Sequence, residues 1–223
     1  SYTQIFDPKS GISFKSKGKL NMKMGINEFS ANEVVNLLEK KDLETIFYKF
    51  GEEKLSRLIA NKIIIQRNQR KLYTEDLARI IENTKRYKKG THKATKIFQS
   101  IRMFVNKEIS ELLFGLINSF KIIKPGGKIV IVTFHSIEDR IVKYFFKNFS
   151  EQKSYSRYFP DIQNNKKLFI LKNKKPIYPS NSEITKNPSS RSAKLRYAEK
   201  INESDVFQDE FLNKFKNLIN VEN

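Results

Sequence analysis

The stretch Lys124-Pro125-Gly126-Gly127-Lys128-Ile129-Val130-Ile131-Val132-Thr133-Phe134-His135-Ser136-Ile137-Glu138-Asp139-Arg140 reads as a turn, a strand and a helix in immediate succession. Pro-Gly-Gly is turn chemistry, because glycine takes positive φ without a side-chain clash. Ile129 to Val132 is an unbroken β-branched run, the pattern of a strand buried on both faces of a parallel sheet. Ile137 to Phe149 then carries apolar residues at helical spacing. Ligands of open α/β sheets sit outside the carboxyl ends of the strands. His135, Ser136, Glu138 and Asp139 are therefore delivered where such a fold does its chemistry. A parallel strand cannot stand alone, so its neighbours are expected from elsewhere.

Upstream, residues 1–29 read as irregular, with a turn signal at Asp7-Pro8-Lys9-Ser10-Gly11. Ser30-Ala31-Asn32-Glu33 is a capping box that opens a helix carrying Val34, Val35, Leu37 and Leu38. A second helix is predicted over Leu43 to Phe50, closed by Gly51 at C′. A third lies within Glu52 to Arg70, with a stripe of Leu55, Leu58, Ile59, Ile63 and Ile64. Thr74 is read as the cap of a fourth, with Glu75 and Asp76 in its first turn. Six of the twelve residues from Lys85 to Lys96 are Lys or Arg, and one long helix is predicted from Ile97 to Phe120. Beyond Phe149, Lys167 to Lys172 and Ala193 to Ile201 read as strands that pair as an antiparallel ribbon, joined by a connection from Pro176 to Pro188. Val206 to Ile219 is a final amphipathic helix, whose stripe reads as packing, with a partner surface as the other reading.

Composition bounds the function. The 223 residues hold 43 Lys plus Arg against 24 Asp plus Glu, a formal net charge of +19. Coding bias toward lysine accounts for part of this but not for the lag of the acids, and nucleic acid is the commonest polyanionic partner. There is no cysteine, which removes disulfides, thiolate metal sites and cysteine nucleophiles together, and no metal site is expected. No apolar run approaches the ~20 residues of a membrane span. A soluble cytoplasmic protein without membrane contact is expected. The opening on Ser1 in loop-like sequence is read as a missing N-terminal part.

Four blocks fall in order: Gly11-Ile12-Ser13-Phe14 with Leu20-Asn21-Met22-Lys23-Met24; Phe98-Gln99-Ser100-Ile101-Arg102 through Val105-Asn106-Lys107-Glu108; Lys124-Pro125-Gly126-Gly127 through Arg140; and Asn187-Pro188-Ser189-Ser190-Arg191-Ser192-Ala193-Lys194-Leu195-Arg196. Together they resemble the bacterial 16S rRNA (cytosine-N4)-methyltransferase family, RsmH, also called MraW, over nearly all of residues 1–201. The resemblance implies an α/β chain. It would be the C-terminal half of a class I, Rossmann-like, S-adenosylmethionine-dependent methyltransferase with an inserted all-helical domain. It places a methyltransferase remnant at 1–19, a helical RNA-binding insert at 20–95, the second half of the sheet at 96–201, and a C-terminal helix at 202–223. The first four strands of the family have no counterpart. The cofactor implied is S-adenosyl-L-methionine, touched by Gln4. The partner implied is 16S rRNA of the small ribosomal subunit, methylated at a decoding-centre cytidine. The oligomeric state stays open, a homodimer included. Asn21 and Gly25 stand where the family usually has Asp, and His92-Lys93-Ala94-Thr95-Lys96 replaces His-Pro-Ala-Thr-Arg, which loses arginine's planar fork.

Methylating a cytosine amine needs no covalent nucleophile; the nitrogen must be held in line with the methyl group while a proton leaves. His135 and Ser136 are the candidate catalytic residues. His135 would contact the base or its phosphate or orient the loop, while the alternative is a ring that only caps the strand end. Glu138 and Asp139 read as first-turn acids of a helix rather than as a general base. Tyr2 could stack on a flipped cytosine or be a surface residue. Lys23, Lys85, Arg86, Lys88, Lys89, Lys93, Lys96, Arg102, Arg191 and Arg196 are the candidate RNA contacts, against solvated charges or, for Arg191, a neighbouring acid. The rival functions are a non-catalytic rRNA-binding or ribosome-assembly factor and a basic ribosomal structural protein.

Overall fold

The computed structural model describes residues 11–13, 19–25, 27–85, 92–151, 167–204 and 207–223. They form two compact units, Ser1–Ile109 with Asn217–Asn223, and Ser110–Lys216. The calls on Tyr2, Gln4, Arg86, Lys88 and Lys89 lie outside the described residues.

The first unit is helical: α1 (Ala31–Leu37), α2 (Lys40–Lys49), α3 (Ser56–Arg67), α4 (Thr74–Glu82) and α5 (Thr95–Val105). The predicted capping box holds α1, with Ser30 N donating to Glu33 Oε2 at 2.7 Å and Glu33 N to Ser30 Oγ at 3.4 Å. Gly51 stands at C′ of α2 as expected, but the positive φ falls on Glu52. What Gly51 supplies is room: a Cβ there would lie 2.6 Å from Phe47 O and 3.0 Å from Lys96 O. Of the expected α3 stripe, Ile59 and Ile63 are buried while Leu55 and Leu58 are exposed. α4 is capped by Tyr73 rather than Thr74, and Tyr73 N donates to Asp76 Oδ2 at 3.1 Å. Arg67 Nη1 closes α1 by donating to Val35 O and Leu38 O at 3.1 and 2.7 Å.

The single helix expected over Ile97–Phe120 is two, α5 and α6 (Glu108–Ile122). Asn106 breaks it. Its Nδ2 donates to Arg102 O at 2.9 Å and Met22 O at 2.8 Å, while its Oδ1 accepts from Met24 N and Asn27 Nδ2. Lys107 then takes φ 48°, which no α-helix accommodates. One side chain thus ends a helix and fastens the 22–27 segment.

The second unit holds β1 (Lys128–Thr133), α7 (Ser136–Asn148), β2 (Phe169–Ile170), α8 (Asn181–Lys186), a 3₁₀ turn (Pro188–Ser192), β3 (Lys194–Lys200) and most of α9 (Phe207–Ile219). The Pro-Gly-Gly turn forms as expected, with Gly126 at φ 88° and Gly127 N donating to Lys124 O at 2.9 Å. The predicted ribbon of β2 with β3 is present, although β2 has only two residues. α8, capped by Ser180 Oγ, occupies part of the expected proline-punctuated connection.

Among the described residues the sheet order is β1-β3-β2 and both pairings are antiparallel. The described partner of β1 is thus antiparallel where a parallel one was expected, and the other edge of β1 has no described neighbour. Ile129 and Thr133 are buried, but Val130 and Val132, on the opposite face, are 58% and 48% exposed. A β-branched run marks a strand, and only its neighbours decide how many faces are covered. α7 packs on β1 and β3, and beneath it lies a cluster of phenylalanines. Phe145 meets Phe169, Phe207 and Phe211 at centroid distances of 5.3, 6.1 and 4.9 Å. The stripe of α9 is packing here, through buried Phe207 and Phe211. Lys200, 0% exposed, donates from Nζ to Phe120 O, Ile123 O and Glu203 Oε2 at 2.8, 2.7 and 2.5 Å. It neutralises the carboxyl end of α6.

Candidate functional site

The corner where β1 becomes α7 is held by its own residues. His135 is the N-cap of α7, in extended conformation (φ −138°, ψ 168°). Glu138 N donates to His135 Nδ1 at 3.4 Å, and Phe134 N and His135 N donate to Glu138 Oε2 at 2.8 and 3.3 Å. An accepting Nδ1 leaves the proton of a neutral ring on Nε2. That nitrogen lies 3.2 Å from Glu138 Oε1 but is not aligned for a hydrogen bond. Burial alone would raise the Glu138 carboxyl; His135 and the two backbone N–H groups outweigh it and hold the group below its ordinary range. The Glu138 carboxylate therefore stays an acceptor that fixes the backbone at residues 134 and 135, while the Glu138 backbone N–H holds the imidazole. Ser136 is the first helical residue and is exposed.

Asp139, one residue on, ties α7 to β3. Its carboxylate accepts from Arg196 Nε at 2.7 Å and Lys194 Nζ at 3.2 Å. Burial again works against the charge, and the two cations more than offset it, so this carboxyl is also held low. Arg196 is thus turned inward onto Asp139. Arg191 sits on the 3₁₀ turn, whose start is fixed by Ser189 N donating to Asn187 Oδ1 at 3.2 Å. Phe134, Pro188, Ser189, Arg191 and Ser192 line an open recess of about 330 Å³. The third and fourth sequence blocks therefore meet at the carboxyl end of β1, as strand-end placement requires. Phe134, Ser189 and Ser192 are members of this recess that the sequence reading did not single out.

In the helical unit most of the candidate RNA contacts have partners. Lys85 Nζ binds Glu53 Oε2 at 2.6 Å and Lys93 O at 2.8 Å. Burial would raise Glu53, and Lys85 brings it below the ordinary carboxylate range. Lys93 Nζ donates to Glu82 O at 2.9 Å and Lys96 Nζ to Glu52 O at 3.0 Å. Arg102 grips Glu108 through Nε and Nη2 at 2.7 and 3.0 Å. Lys23 Nζ reaches Glu28 O at 3.5 Å. Gly25 faces open space, so the carboxylate that the family carries there would fit without a clash. Gln4, the one residue assigned to the cofactor, is not among the described residues, and these offer no test of that fit. No helix among the described residues is long and apolar enough to cross a membrane.

Comparison with known proteins gives the following. The model of the MraW methylase family matches residues 1–201. A protein named ribosomal RNA small subunit methyltransferase H, from Rhodopseudomonas palustris (strain BisA53), is 41% identical over 202 residues, which cover 90% of this chain and 61% of that protein. Proteins of the same name from Methylorubrum extorquens and Bartonella henselae are 42% and 40% identical, covering 90% and 94% of this chain and 58% and 61% of their own lengths. The chain thus spans about three-fifths of the length of the curated relatives it matches.

Proposed function

The chain belongs to the MraW methylase family, and from that premise we propose that it is the RNA-binding and base-positioning part of a cytoplasmic 16S rRNA (cytosine-N4)-methyltransferase. The observation that carries the reading is the meeting of His135, Ser136 and the Arg191 turn at the carboxyl end of β1, where an α/β fold presents its ligands. The relatives' printed names support small-subunit rRNA as the substrate.

S-adenosyl-L-methionine would supply the methyl group, with Gln4 at its site. The chain's own residues do the rest. Phe134 and the Ser189–Ser192 turn wall the recess that receives the cytosine, Arg191 faces its phosphate, and His135, held by Glu138, orients the exocyclic amine. With no thiol in the chain, addition to the ring is not part of the scheme; positioning carries the rate. Residues 20–95 act as the helical insert that grips RNA, with Lys23, Arg86, Lys88 and Lys89 among its contacts. Lys85, Lys93, Lys96 and Arg102 shape that surface through the partners described above. The open outer edge of β1, with which no described residue pairs, supports the same reading, since the rest of a methyltransferase sheet would add there. A non-catalytic rRNA-binding factor is the second reading.

The experiment uses protein extended to the relatives' full length and carrying these 223 residues. Incubation with unmodified small subunits and S-adenosylmethionine should yield N4-methylcytidine by mass spectrometry of the rRNA. RNA binding without that product favours the second reading, and neither binding nor product rejects both.

A further inference from the structure

At the far side of the second unit lies a cleft of about 710 Å³ between the C-terminal half of α7 and the segment around β2. By the register, Ile170 stands opposite Glu199, which pairs with Lys128 at the start of β1. The lining also includes Arg196 and Tyr197, which stand opposite Ile131 and Val130 midway along β1. The cleft therefore runs along the β2 side of the sheet and shares no lining residue with the recess at Phe134 and Arg191. Its rim is basic: Lys143 and Lys147 come from α7, and Lys167 and Lys174 from either side of β2. Lys147 lies 3.9 Å from Glu151, the one acid of the lining. Lys143, Lys167 and Lys174 make no side-chain ion pair or hydrogen bond among the described residues and are exposed. This is unlike the first unit, where Lys85, Lys93 and Lys96 all end on carbonyls or a carboxylate. Exposed Ile170 and half-buried Tyr197 also line it, on the sheet face that Val130 and Glu199 share, and Arg196, bound to Asp139, is a further cation of the lining.

We propose that this cleft is a second RNA-binding surface, which takes a single-stranded phosphodiester segment on Lys143, Lys167 and Lys174 with a base against Ile170 and Tyr197. The inference rests on the reading that the chain works on rRNA. Unpartnered cations around an apolar, aromatic-bearing groove are the combination that binds single strands, because the cations meet phosphates while the floor takes an unstacked base. A duplex presents phosphates but keeps its bases stacked, so it would leave that floor unused. A flat anionic membrane cannot follow a concave groove.

The test compares the 223-residue chain with Lys143→Glu/Lys167→Glu/Lys174→Glu, with the milder triple change to Gln, and with Lys121→Glu/Lys124→Glu/Lys216→Glu. The last makes the same charge change at exposed lysines of the same unit that line neither the cleft nor the recess. The probes are a single-stranded oligouridylate, a duplex of equal length and phosphatidylglycerol vesicles, with thermal melting to confirm folding. The cleft triple to Glu should weaken oligouridylate binding about tenfold or more and lower the slope of log Kd against log salt by about 2. The Gln triple should fall between, and the control triple should stay within about twofold of wild type. Equal losses in cleft and control triples overturn the proposal, as does an equal loss on duplex, or a loss on vesicles alone. Methylation by the full-length protein, together with a cleft triple that binds oligouridylate as tightly as the wild-type chain, rejects the cleft and leaves the reading of function intact. Wild-type chain that binds no RNA rejects both.

Discussion

Two sets of cations use their charge in opposite ways. Lys85, Lys93, Lys96 and Arg102 of the helical unit are structural. Lys85 neutralises a buried Glu53, Arg67 and Lys93 close helix ends, and Arg102 and Glu108 brace the break at Asn106. In the sheet unit the interior is held by phenylalanines and one buried lysine, while Lys143, Lys167 and Lys174 are left to solvent. A net charge of +19 therefore does not locate an RNA surface. The cleft proposed for it turns instead on which cations already have a carbonyl or carboxylate to bind.

The strongest way to break this contrast is Phe145→Ala, which empties the centre of the aromatic cluster and should cost about 4 kcal/mol in chemical denaturation. A loss below about 1 kcal/mol would mean that the cluster does not hold the unit. Lys200→Met comes next. It leaves Phe120 O, Ile123 O and Glu203 without their donor and should cost about 3 kcal/mol, read by the shift in denaturation midpoint. Asp139→Asn should cost about 2 kcal/mol at neutral pH, because Arg196 loses its partner. The pH dependence has a fixed sign. The Asp139 and Glu138 carboxyls are held low in the folded chain, so their stabilisation is complete above the ordinary carboxylate range of about 4 and disappears as pH falls through the folded values. A melting series from pH 7 to about pH 2 should show the Asp139→Asn deficit vanish at the acid end. The contrast is sharpened by a pair: Lys85→Gln should cost about 1–2 kcal/mol, whereas Lys143→Gln should stay within about 0.5 kcal/mol. Smallest of all, Val130→Lys should change stability by less than about 0.5 kcal/mol, since that side chain is already open to water.

The features legible in the sequence are those written in local chemistry. The Ser30–Glu33 box and the Pro-Gly-Gly turn each follow from residues within a few positions of one another, and the β2–β3 ribbon follows from two apolar runs joined by a proline-punctuated connection. The failures share a different cause. Asn106 fits an amphipathic helix pattern, and only its bonds to residues 22–27, some eighty positions away, reveal a break. His135 is a rare N-cap, visible only once Glu138 is seen holding both backbone N–H groups. The two exposed valines of β1 have the same sequence signature as buried ones. At the candidate site, the position of His135 and Ser136 at the end of β1 is legible, but the inward turn of Arg196 depends on a partner fifty-seven positions away. The basic cleft gathers lysines from α7 and from beyond a long connection, so no window of sequence shows it.

The buried ammonium of Lys200 makes one residue of this lysine-rich chain a chemical reporter. An amine-directed acylating reagent will label the solvated lysines at once, but it can reach Lys200 only after the end of α6 lets go of β3. The time course of labelling at that single position, followed by peptide mapping, therefore measures how often the sheet unit opens.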